Sequence, residues 1–526
     1  MTLKIKIVAT VFTLLMLGGC QDYNVLVKNP NLPTSAPPSL LLTGVLEHMN
    51  DQNAWDGKLG SQSAAQFYLS TYDYYGTNNY DQQPFIKTKD NFEYLKVLQN
   101  LVQMDVESKN AGKPALNPYS ALGKFLRAFY YNLMSQKMGD IPFSAALQAD
   151  KNTAPQYDSQ KDVYKQILAL LEESNSDLSK LIAANDGTLL GDIYLGNNLT
   201  AWRKIVNAFT LRVLISLSKK ESDADLSIKQ KFAAILADPV KYPVPTSLSD
   251  NLQYVFNSSY NPYPKNPTSL GRDGTRENVG STFLDLTTSL NDPRTFIVGT
   301  PAPAKLLAGK LFSDFAAYAG APAGLSMSEL GTNAQGGQYS YINALRYSYD
   351  FAGSKAEPAI IIGYPELCFN IAEGINRGWA AGNANTWYTN GITSAMTFLG
   401  ISDGSSIPVG NLTGTTIYGS VTVSVTSYLA QPSVQYKGGA VGLTQILNQK
   451  YLAFWQNSNW EAFFNQRRTG VPVFSEGVGS GNGNKIAKRW QYPRAEADAN
   501  TANYNAAVQS QYNGADDLNG IMWILR

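Results

Sequence analysis

Apolar residues recur every three or four positions along much of the chain, the spacing of one face of an α-helix. The first run covers Asn91 to Asp105 and places Leu95, Leu98 and Val102 on one face. Three further runs cover Pro118 to Met138, Val163 to Leu181 and Trp202 to Leu217. Ser159, three residues before Asp162, offers a capping start to the third run. Neighbouring runs separated by polar turns predict helix hairpins stacked side by side, as in helical-repeat proteins, although no tetratricopeptide sequence signature is present.

In the middle of the chain, apolar residues no longer recur every three or four positions. Leu252 to Lys355 is rich in Gly, Pro, Asn, Tyr and Ser, with short apolar patches only, which predicts an ordered surface built from loops. The helical pattern returns at Pro365 and again across Leu443 to Trp455. Between them, Thr415 to Leu429 alternates in steps of two at its valines and predicts a small strand or hairpin.

The amino terminus has the pattern of a lipoprotein signal peptide. Lys4 and Lys6 precede an apolar run from Ile7 to Leu17, which is too short to span a bilayer. The run ends in Leu-Gly-Gly followed by Cys20, which resembles a bacterial lipobox and predicts a lipid on that cysteine. An ordinary secretory peptide with an incidental cysteine is the alternative. If Cys20 carries a lipid, Cys368 has no disulfide partner and is predicted to be a buried thiol.

These patterns divide the chain into three parts. Residues 1–19 are predicted to be the signal peptide, 20–38 a lipidated Pro-rich tether, and 39–526 one ligand-binding domain. Within that domain the helical scaffold is expected at about 39–240 and 364–470. The loop-rich part is expected at about 250–360 and 471–526.

Charge and composition limit the classes of ligand that fit the chain. The chain has 526 residues, with 42 basic and 41 acidic side chains; removal of residues 1–19, which hold two lysines and no acid, leaves 40 against 41. This near-neutral balance carries no electrostatic signal for nucleic acid. Charged residues are 16% of the chain and tyrosines number 31. Such a surface suits neutral polar ligands, while a large Tyr-rich core explains the same composition equally well.

The residues for common catalytic chemistry are scarce. His48 is the only histidine of the sequence, which argues against histidine triads and zinc sites. Glycoside hydrolysis needs two carboxylates only and stays open. No cofactor is predicted. A structural calcium ion is the one metal considered, with loop candidates at Asp273-Gly274, Asp403-Gly404 and Asp516-Asp517.

Binding chemistry fits the loops better. Tyr68 to Phe85 holds five tyrosines within thirteen residues, set among Asn, Asp, Gln and Gly. Asn257 to Pro267 and Gly336 to Asp350 have a similar composition. Tyrosine offers a flat apolar face and a polar tip, which suits a sugar ring, and peptides use similar surfaces. The candidate ligand-binding residues in these segments are Tyr74, Tyr75, Asn78, Tyr80, Tyr260, Tyr263, Tyr339 and Tyr341.

Several stretches in order along the chain carry a family resemblance. They are the lipobox, NPNLPTSAPPSLLLTG (29–44), KMGDIPFSAAL (137–147), WRKIVNAFTLRVLISLSK (202–219), NDPRT (291–295), YPELCFNIAEGINRGW (364–379), LNQKYLAFW (447–455), RRTGVPVF (467–474), RWQYPRAEADANTANYNAAV (489–508) and the ending with Trp523. Together they resemble the SusD/RagB-like nutrient-binding outer-membrane lipoproteins of Bacteroidetes. Arg212, Arg467 and Arg468 in these motifs are predicted to pin helices and loops rather than to touch a ligand.

The resemblance implies a mostly α-helical fold, with four tetratricopeptide-like helix pairs, a loop-rich half and a small β insert. It also implies a function: binding an oligosaccharide, or in some members a peptide, and delivering it to a SusC-like TonB-dependent transporter barrel. The protein would be a non-enzyme, anchored by lipid in the outer membrane at the cell surface. The alternatives are a surface glycoside hydrolase and a structural outer-membrane subunit without a ligand of its own.

Overall fold

The computed structural model describes residues 35–50, 55, 60–72, 85–86, 92–148, 151–265, 274–347 and 357–526. The described residues do not include Cys20, the predicted signal peptide or most of the predicted tether. Lipidation and the three-part division of the chain therefore stay predictions. None of the helices in the described part is long and apolar enough to cross a membrane.

The amino-terminal half is a helical scaffold. Its elements are α1 (Pro38–Glu47), α2 (Ser61–Ala64), β1 (Tyr68–Ser70), α3 (Tyr94–Asn110), α4 (Pro118–Met138), α5 (Gln160–Ala183), α6 (Leu199–Ser216) and α7 (Ile228–Ala237). Consecutive long helices pack on one another from α3 to α6, and α1 packs on α3. The starts are set by side-chain caps: Asn117, Ser159 and Asn198 accept hydrogen bonds from backbone N–H groups of the first turns of α4, α5 and α6.

Short elements occupy the middle of the chain, where the sequence predicted loops. They are β2 (Leu252–Tyr254), β3 (Glu277–Val279), α8 (Ser281–Ser289), α9 (Arg294–Val298), α10 (Pro303–Leu307), α11 (Met327–Gln335), α12 (Ala344–Tyr347) and β4 (Ala359–Ile362). β1 pairs with β3 and β2 pairs with β4, both antiparallel. The first pairing joins the loop-rich middle to the amino-terminal scaffold, and the second brings the two ends of the middle together.

The carboxy-terminal part completes the scaffold. Its elements are α13 (Tyr364–Asn376), α14 (Ala384–Phe398), β5 (Ser406–Gly410), β6 (Ile417–Thr422), α15 (Val425–Leu429), α16 (Gly439–Ala453), α17 (Glu461–Thr469), α18 (Arg494–Ala499) and α19 (Thr501–Tyr512). α13 packs against α14, α16 and α6, which unites the two helical parts around a single hydrophobic core. This mostly helical architecture confirms the predicted fold class.

Three local expectations need correction. Val102 is 37% exposed, whereas the buried face of α3 is formed by Val97, Leu98, Leu101 and Met104. At about 100° per residue, Val102 lies at the border of that apolar stripe, which the chosen spacing of Leu95, Leu98 and Val102 misses.

The predicted hairpin is present, but it is shifted along the chain. β6 pairs with β5, and the last third of the Thr415–Leu429 stretch is the short helix α15. Ser424 starts that helix because its hydroxyl accepts a hydrogen bond from the backbone N–H of Ser427. Similarly, the helix expected over Leu443 to Trp455 is α16, which begins and ends earlier.

Buried charges fasten the scaffold helices to one another. Arg212 on α6 makes a bidentate contact with Glu366 on α13, with Nε 2.7 Å from Oε1. Arg468 on α17 grips Glu373 of α13 through two hydrogen bonds of 2.6 and 3.0 Å. Lys450 on α16 donates to Asn370 at 2.6 Å. We call these five residues with Asn370 the charge clamp.

Arg467 holds the same region through the backbone. Its guanidinium donates to the carbonyl oxygens of Gln136 (2.6 Å) and Lys488 (2.9 Å), two segments far apart in sequence. The predicted role of Arg212, Arg467 and Arg468 in pinning helices and loops is therefore confirmed.

Candidate functional site

Two short antiparallel ladders, β1–β3 and β2–β4, have tyrosines just beyond their strands, and we call Tyr72, Arg276 and Tyr260 the edge. In the β1–β3 ladder, Ser70 lies opposite Glu277, and the backbone N–H of Thr71 donates to the carbonyl of Arg276 at 2.8 Å. This pairing sets Tyr72 beside Arg276, whose guanidinium carbon lies 4.7 Å from the centre of the tyrosine ring. The Tyr72 ring and the Arg276 guanidinium group therefore lie side by side just beyond the strand ends.

A second tyrosine, Tyr260, lies in the turn that follows β2 of the β2–β4 ladder. Tyr254 pairs with Ala359, and a tight turn follows β2, closed by two backbone hydrogen bonds of 3.0 and 3.1 Å between Asn257 and Asn261. The Asn257 side chain accepts from the N–H of Ser259 at 2.8 Å, which fixes the turn as an Asx turn. Tyr260 follows in this turn and is 90% exposed. It has the exposure required of a ring that receives a ligand.

Trp55 lies in an aromatic cluster that joins β1 to the segment following β2. Its ring centre lies 5.7 Å from that of Tyr68 on β1, 5.1 Å from that of Tyr347 and 6.0 Å from that of Trp455. Its indole N–H donates to the hydroxyl of Tyr263 at 2.5 Å. We call these five residues the aromatic junction. All are buried, so the junction supports the edge and holds its strands in place.

An ion pair ties the junction to β3. The ammonium group of Lys265 donates to Glu277 Oε2 at 2.5 Å and lies 5.4 Å from the centre of the Trp55 ring. Lys265 is buried and Glu277 is half-buried, so this contact is shielded from solvent more than an ordinary surface pair. It fixes the start of β3, and with it the neighbouring Arg276.

The structure separates the predicted tyrosines into different settings. Tyr260 is exposed, whereas Tyr263, Tyr339 and Tyr341 are 6, 7 and 8% exposed. Tyr263 belongs to the junction. The other four predicted residues, Tyr74, Tyr75, Asn78 and Tyr80, lie outside the described residues. Ligand contact stays a prediction for all eight.

Tyr339 and Tyr341 pack against α11. The hydroxyl of Tyr339 accepts from the side-chain amide of Asn333 at 2.9 Å, and that of Tyr341 donates to the carbonyl of Ala334 at 3.1 Å. Burial raises the pKa of both hydroxyls. Their polar tips are therefore engaged within the protein, and the structure does not bring these rings to the exposed position that Tyr260 has.

Sequence reasoning did not single out Trp55, Tyr72, Lys265 and Arg276. Trp55 is an isolated large ring in the polar stretch DQNAWDGKLG, and this contrast is a signal that could have found it. Lys265 and Arg276 carry no such signal, because their roles depend on contacts made only when β1 and β3 pair.

One buried carboxyl with a raised pKa, that of Glu461, lies inside the scaffold. Burial raises the pKa of Glu461, against the influence of Arg212, Lys450 and Arg468. It lines a cavity of about 10 Å³ beside the charge clamp. That volume is about the space of one water molecule, so a sugar ring does not fit there. The raised pKa follows from packing of the scaffold and gives no support to glycosidase chemistry at this position.

The calcium candidates that the structure describes have protein partners. The Asp403 carboxylate accepts from the Ser424 hydroxyl (2.8 Å) and from the hydroxyl and N–H of Thr426 (2.6 and 2.9 Å), and these bonds lower its pKa to about 2. Asp516 pairs with Arg489. Asp273 lies outside the described residues. Within the described ranges, no three His, Cys, Asp or Glu side chains come together as metal ligands.

The thiol of Cys368 is buried in α13, as predicted from the sequence. Burial raises its pKa to about 12, against a hydrogen bond with Tyr364 that lowers it. A thiol in this state is unreactive at neutral pH, because the thiolate is the nucleophile. Cys368 is therefore a packing residue.

The sequence and the fold together identify the class of protein. Residues 30–493 match the SusD-like family, described as starch-binding and associating with the outer membrane. The match covers most of the chain, and the chain belongs to this family. Among curated proteins, none matches the chain in sequence.

Solved structures agree with that assignment. A SusD homologue from Bacteroides fragilis has 29% sequence identity and a TM-score of 0.79, with 93% of this chain and 100% of that chain covered. An outer-membrane protein from Bacteroides vulgatus, thought to take part in nutrient binding, has 29% identity, a TM-score of 0.77 and the same coverage. A chitin-binding SusD homologue from Flavobacterium johnsoniae has the same fold at 19% identity, with a TM-score of 0.67 and 92% and 98% of the two chains covered.

Proposed function

We propose that the protein binds a neutral oligosaccharide at the outer membrane and passes it to a TonB-dependent transporter. Membership of a family described as starch-binding supports the ligand class, and so does the chitin-binding homologue. The near-neutral charge of the chain agrees with an uncharged ligand. Lipidation at Cys20, close to the start of the tether, would hold the protein at the membrane, where the family is found.

The observation that carries the proposal is the edge beside the two strand ladders. Tyr72 beside Arg276 directly precedes residues 73–84, which hold the predicted ligand residues Tyr74, Tyr75, Asn78 and Tyr80. Tyr260 is exposed in its turn, and Tyr263 beneath the edge fixes Trp55. Sugars present apolar C–H faces to rings and hydroxyls to amides and guanidinium groups, so this edge combines both kinds of contact.

Binding is tested by isothermal titration calorimetry of the full chain with malto- and chito-oligosaccharides of four to seven units. Tyr260→Ala and Tyr72→Ala are expected to weaken binding about tenfold, because each removes a ring worth roughly 1 kcal/mol or more at a ligand. Tyr418→Ala is the matched control, since Tyr418 is also solvent-accessible but lies on the separate β5–β6 hairpin. Binding by wild type that neither variant weakens would overturn the choice of this edge.

The same preparation distinguishes the other functions. Release of shorter sugars from these oligosaccharides would show a glycoside hydrolase, and binding confined to a peptide library would show a peptide importer. Absence of any ligand, combined with tight association with a barrel, would show a structural subunit. The transporter is tested by affinity purification from the native outer membrane: a TonB-dependent barrel is expected to co-purify, and its absence from mild-detergent extracts would contradict that part of the proposal.

A further inference from the structure

A groove of about 640 Å³ opens between α8, α16 and the segment 471–475. Its size falls within the range of about 300–1,000 Å³ that small-molecule sites occupy. Its lining residues are Ser281, Thr282, Asp285 and Leu286 of α8, Gly320 and Pro322, Thr444 and Asn448 of α16, and residues 471–475. None of these residues belongs to the aromatic junction or to the edge described above.

The helical wall of the groove presents polar groups without protein partners. In the parts of the chain that the structure describes, no group hydrogen-bonds to the carboxylate of Asp285 or to the side-chain amide of Asn448. Although Asp285 is exposed at the groove wall, partial desolvation raises the pKa of its carboxyl. Together the two side chains offer three acceptor oxygens, counting both of the carboxylate, and one NH₂ donor to whatever occupies the groove.

The segment 471–474 contributes an apolar surface to the groove. Val471, Pro472, Val473 and Phe474 form it, and Val473 is 83% exposed. Phe474 is buried at its base and packs edge-on against Tyr451, with ring centres 6.1 Å apart. A ligand in the groove therefore meets both aliphatic surface and hydrogen-bonding groups.

Gln66 holds the two walls at a fixed separation. Its side-chain oxygen accepts from the Thr282 hydroxyl at 2.5 Å and from the Ser475 N–H at 2.9 Å, while its amide donates to the Ser475 carbonyl at 2.8 Å. Gln66 is itself buried, with 1% exposure. A groove braced in this way loses little conformational entropy when a ligand enters, which favours binding.

The charge of the groove decides the class of ligand. Its lining includes one carboxylate and no Lys, Arg or His, so an anion would find no counter-charge. A sugar matches both walls, because its ring carbons face the aliphatic side and its hydroxyls meet Asp285 and Asn448. We propose that this groove is a second sugar subsite that takes one or two neutral sugar units. The inference rests on the proposed function, since it adds a site for the same ligand class.

Calorimetric titration of the full chain with maltose and with N,N′-diacetylchitobiose tests the subsite. Val473→Trp fills the groove from an exposed position and is expected to abolish binding there. Val240→Trp is the matched control, because Val240 is 84% exposed and lies outside the groove. Asp285→Asn and Asn448→Ala are each expected to raise the groove Kd about tenfold without a change in melting temperature.

The outcomes separate this subsite from the edge around Tyr260. Binding reduced by Val473→Trp but not by Val240→Trp supports the groove, whatever Tyr260→Ala does. Binding reduced by Tyr260→Ala and untouched by Val473→Trp overturns the groove and leaves the proposed function standing. Absence of binding by wild type to both disaccharides, while longer oligosaccharides bind, also overturns the groove. Glucosamine binding tenfold tighter than either neutral disaccharide, and lost in Asp285→Asn, would overturn the ligand class in favour of an amine.

Discussion

Replacement of Glu373 by glutamine tests how much the charge clamp contributes to stability. Glu373 is fully buried and is gripped by Arg468, with Arg377 also donating to it at 2.9 Å. Loss of its charge leaves two guanidinium groups without their carboxylate. Removal of one partner of a buried ion pair costs about 3–5 kcal/mol, because the charge left behind is neither hydrated nor paired.

That free energy converts into a shift of melting temperature. Unfolding entropy near 60 °C is about 2.1 cal/mol/K per residue, so the roughly 450 residues that the structure describes give about 1 kcal/mol/K. Glu373→Gln is therefore expected to lower Tm by roughly 3–5 °C at pH 7. The matched control is Glu173→Gln, which breaks a pair with Lys124 in which the glutamate is 57% exposed. Surface pairs contribute about 0–1 kcal/mol, so this variant should melt within about 1 °C of wild type.

The pH dependence of the Tm difference between wild type and Glu373→Gln gives a second, independent measure of what the clamp contributes. Burial alone would raise the pKa of Glu373, but Arg468, Lys450 and Arg377 lower it from 4.5 to about 2. A carboxyl whose pKa is lower in the folded state stabilises the protein fully above its unfolded pKa, and this contribution disappears as pH falls through the folded value. The difference corresponds to about 3 kcal/mol. Differential scanning calorimetry should therefore find the wild-type advantage over Glu373→Gln constant above pH 5 and shrinking from pH 4.5 towards 2. An advantage below 1 °C at pH 7, or one that stays constant down to pH 2.5, would refute the role of the clamp.

Three further predictions concern the cysteines and the tyrosine-rich segment. Tyr74→Ala and Tyr75→Ala should each weaken oligosaccharide binding in calorimetry while Tm stays nearly unchanged, and a large fall in Tm would show that these rings are core. Cys20→Ala should abolish incorporation of labelled palmitate and release the protein from the membrane fraction; labelling that persists would exclude Cys20 as the lipid site. Cys368 should resist iodoacetamide in the native protein at pH 8 and react on unfolding, because its pKa is about 12 and it is buried; rapid native labelling, followed by mass spectrometry, would contradict that burial.

The long helices could be predicted from the sequence because their signals are local. α4 spans the same residues as the predicted run, Pro118 to Met138, since the Asn117 cap and Pro118 at the first helical position form a local start signal. The run predicted from Trp202 begins three residues earlier, because Asn198 supplies the cap and Leu199 is buried as well. β5 was missed, since Pro408 in its centre argues against a strand, and its pairing with β6 and its packing against α9 and α12 stabilise it.

Which tyrosines are exposed and which are buried could not be predicted from the sequence in the same way. Tyr260 and Tyr263 are three residues apart in one polar stretch, yet one is exposed and the other is buried. The turn closed by Asn257 and Asn261 produces the difference, and the partner of the Tyr263 hydroxyl is Trp55, 208 residues away in sequence. Composition identified segments rich in rings, but burial depends on contacts between distant parts of the chain, which a single sequence does not specify.

The charge clamp and the edge lie in different parts of the molecule, so variants of the two should have different effects on Tm and on ligand binding. The clamp residues are buried between helices of the scaffold, whereas Tyr72, Arg276 and Tyr260 lie beyond strand ends and are half-buried or exposed. Variants of the clamp should therefore lower Tm, and they should weaken ligand binding only to the extent that the native fraction falls. Variants of Tyr72 or Tyr260 should do the reverse, because Tyr260 is 90% exposed and the strand register is held by backbone bonds. A clamp variant that weakened binding at a temperature well below its Tm would mean that the scaffold transmits strain to the edge, and Trp55 and Lys265, which join the strands there, would be the residues to test next.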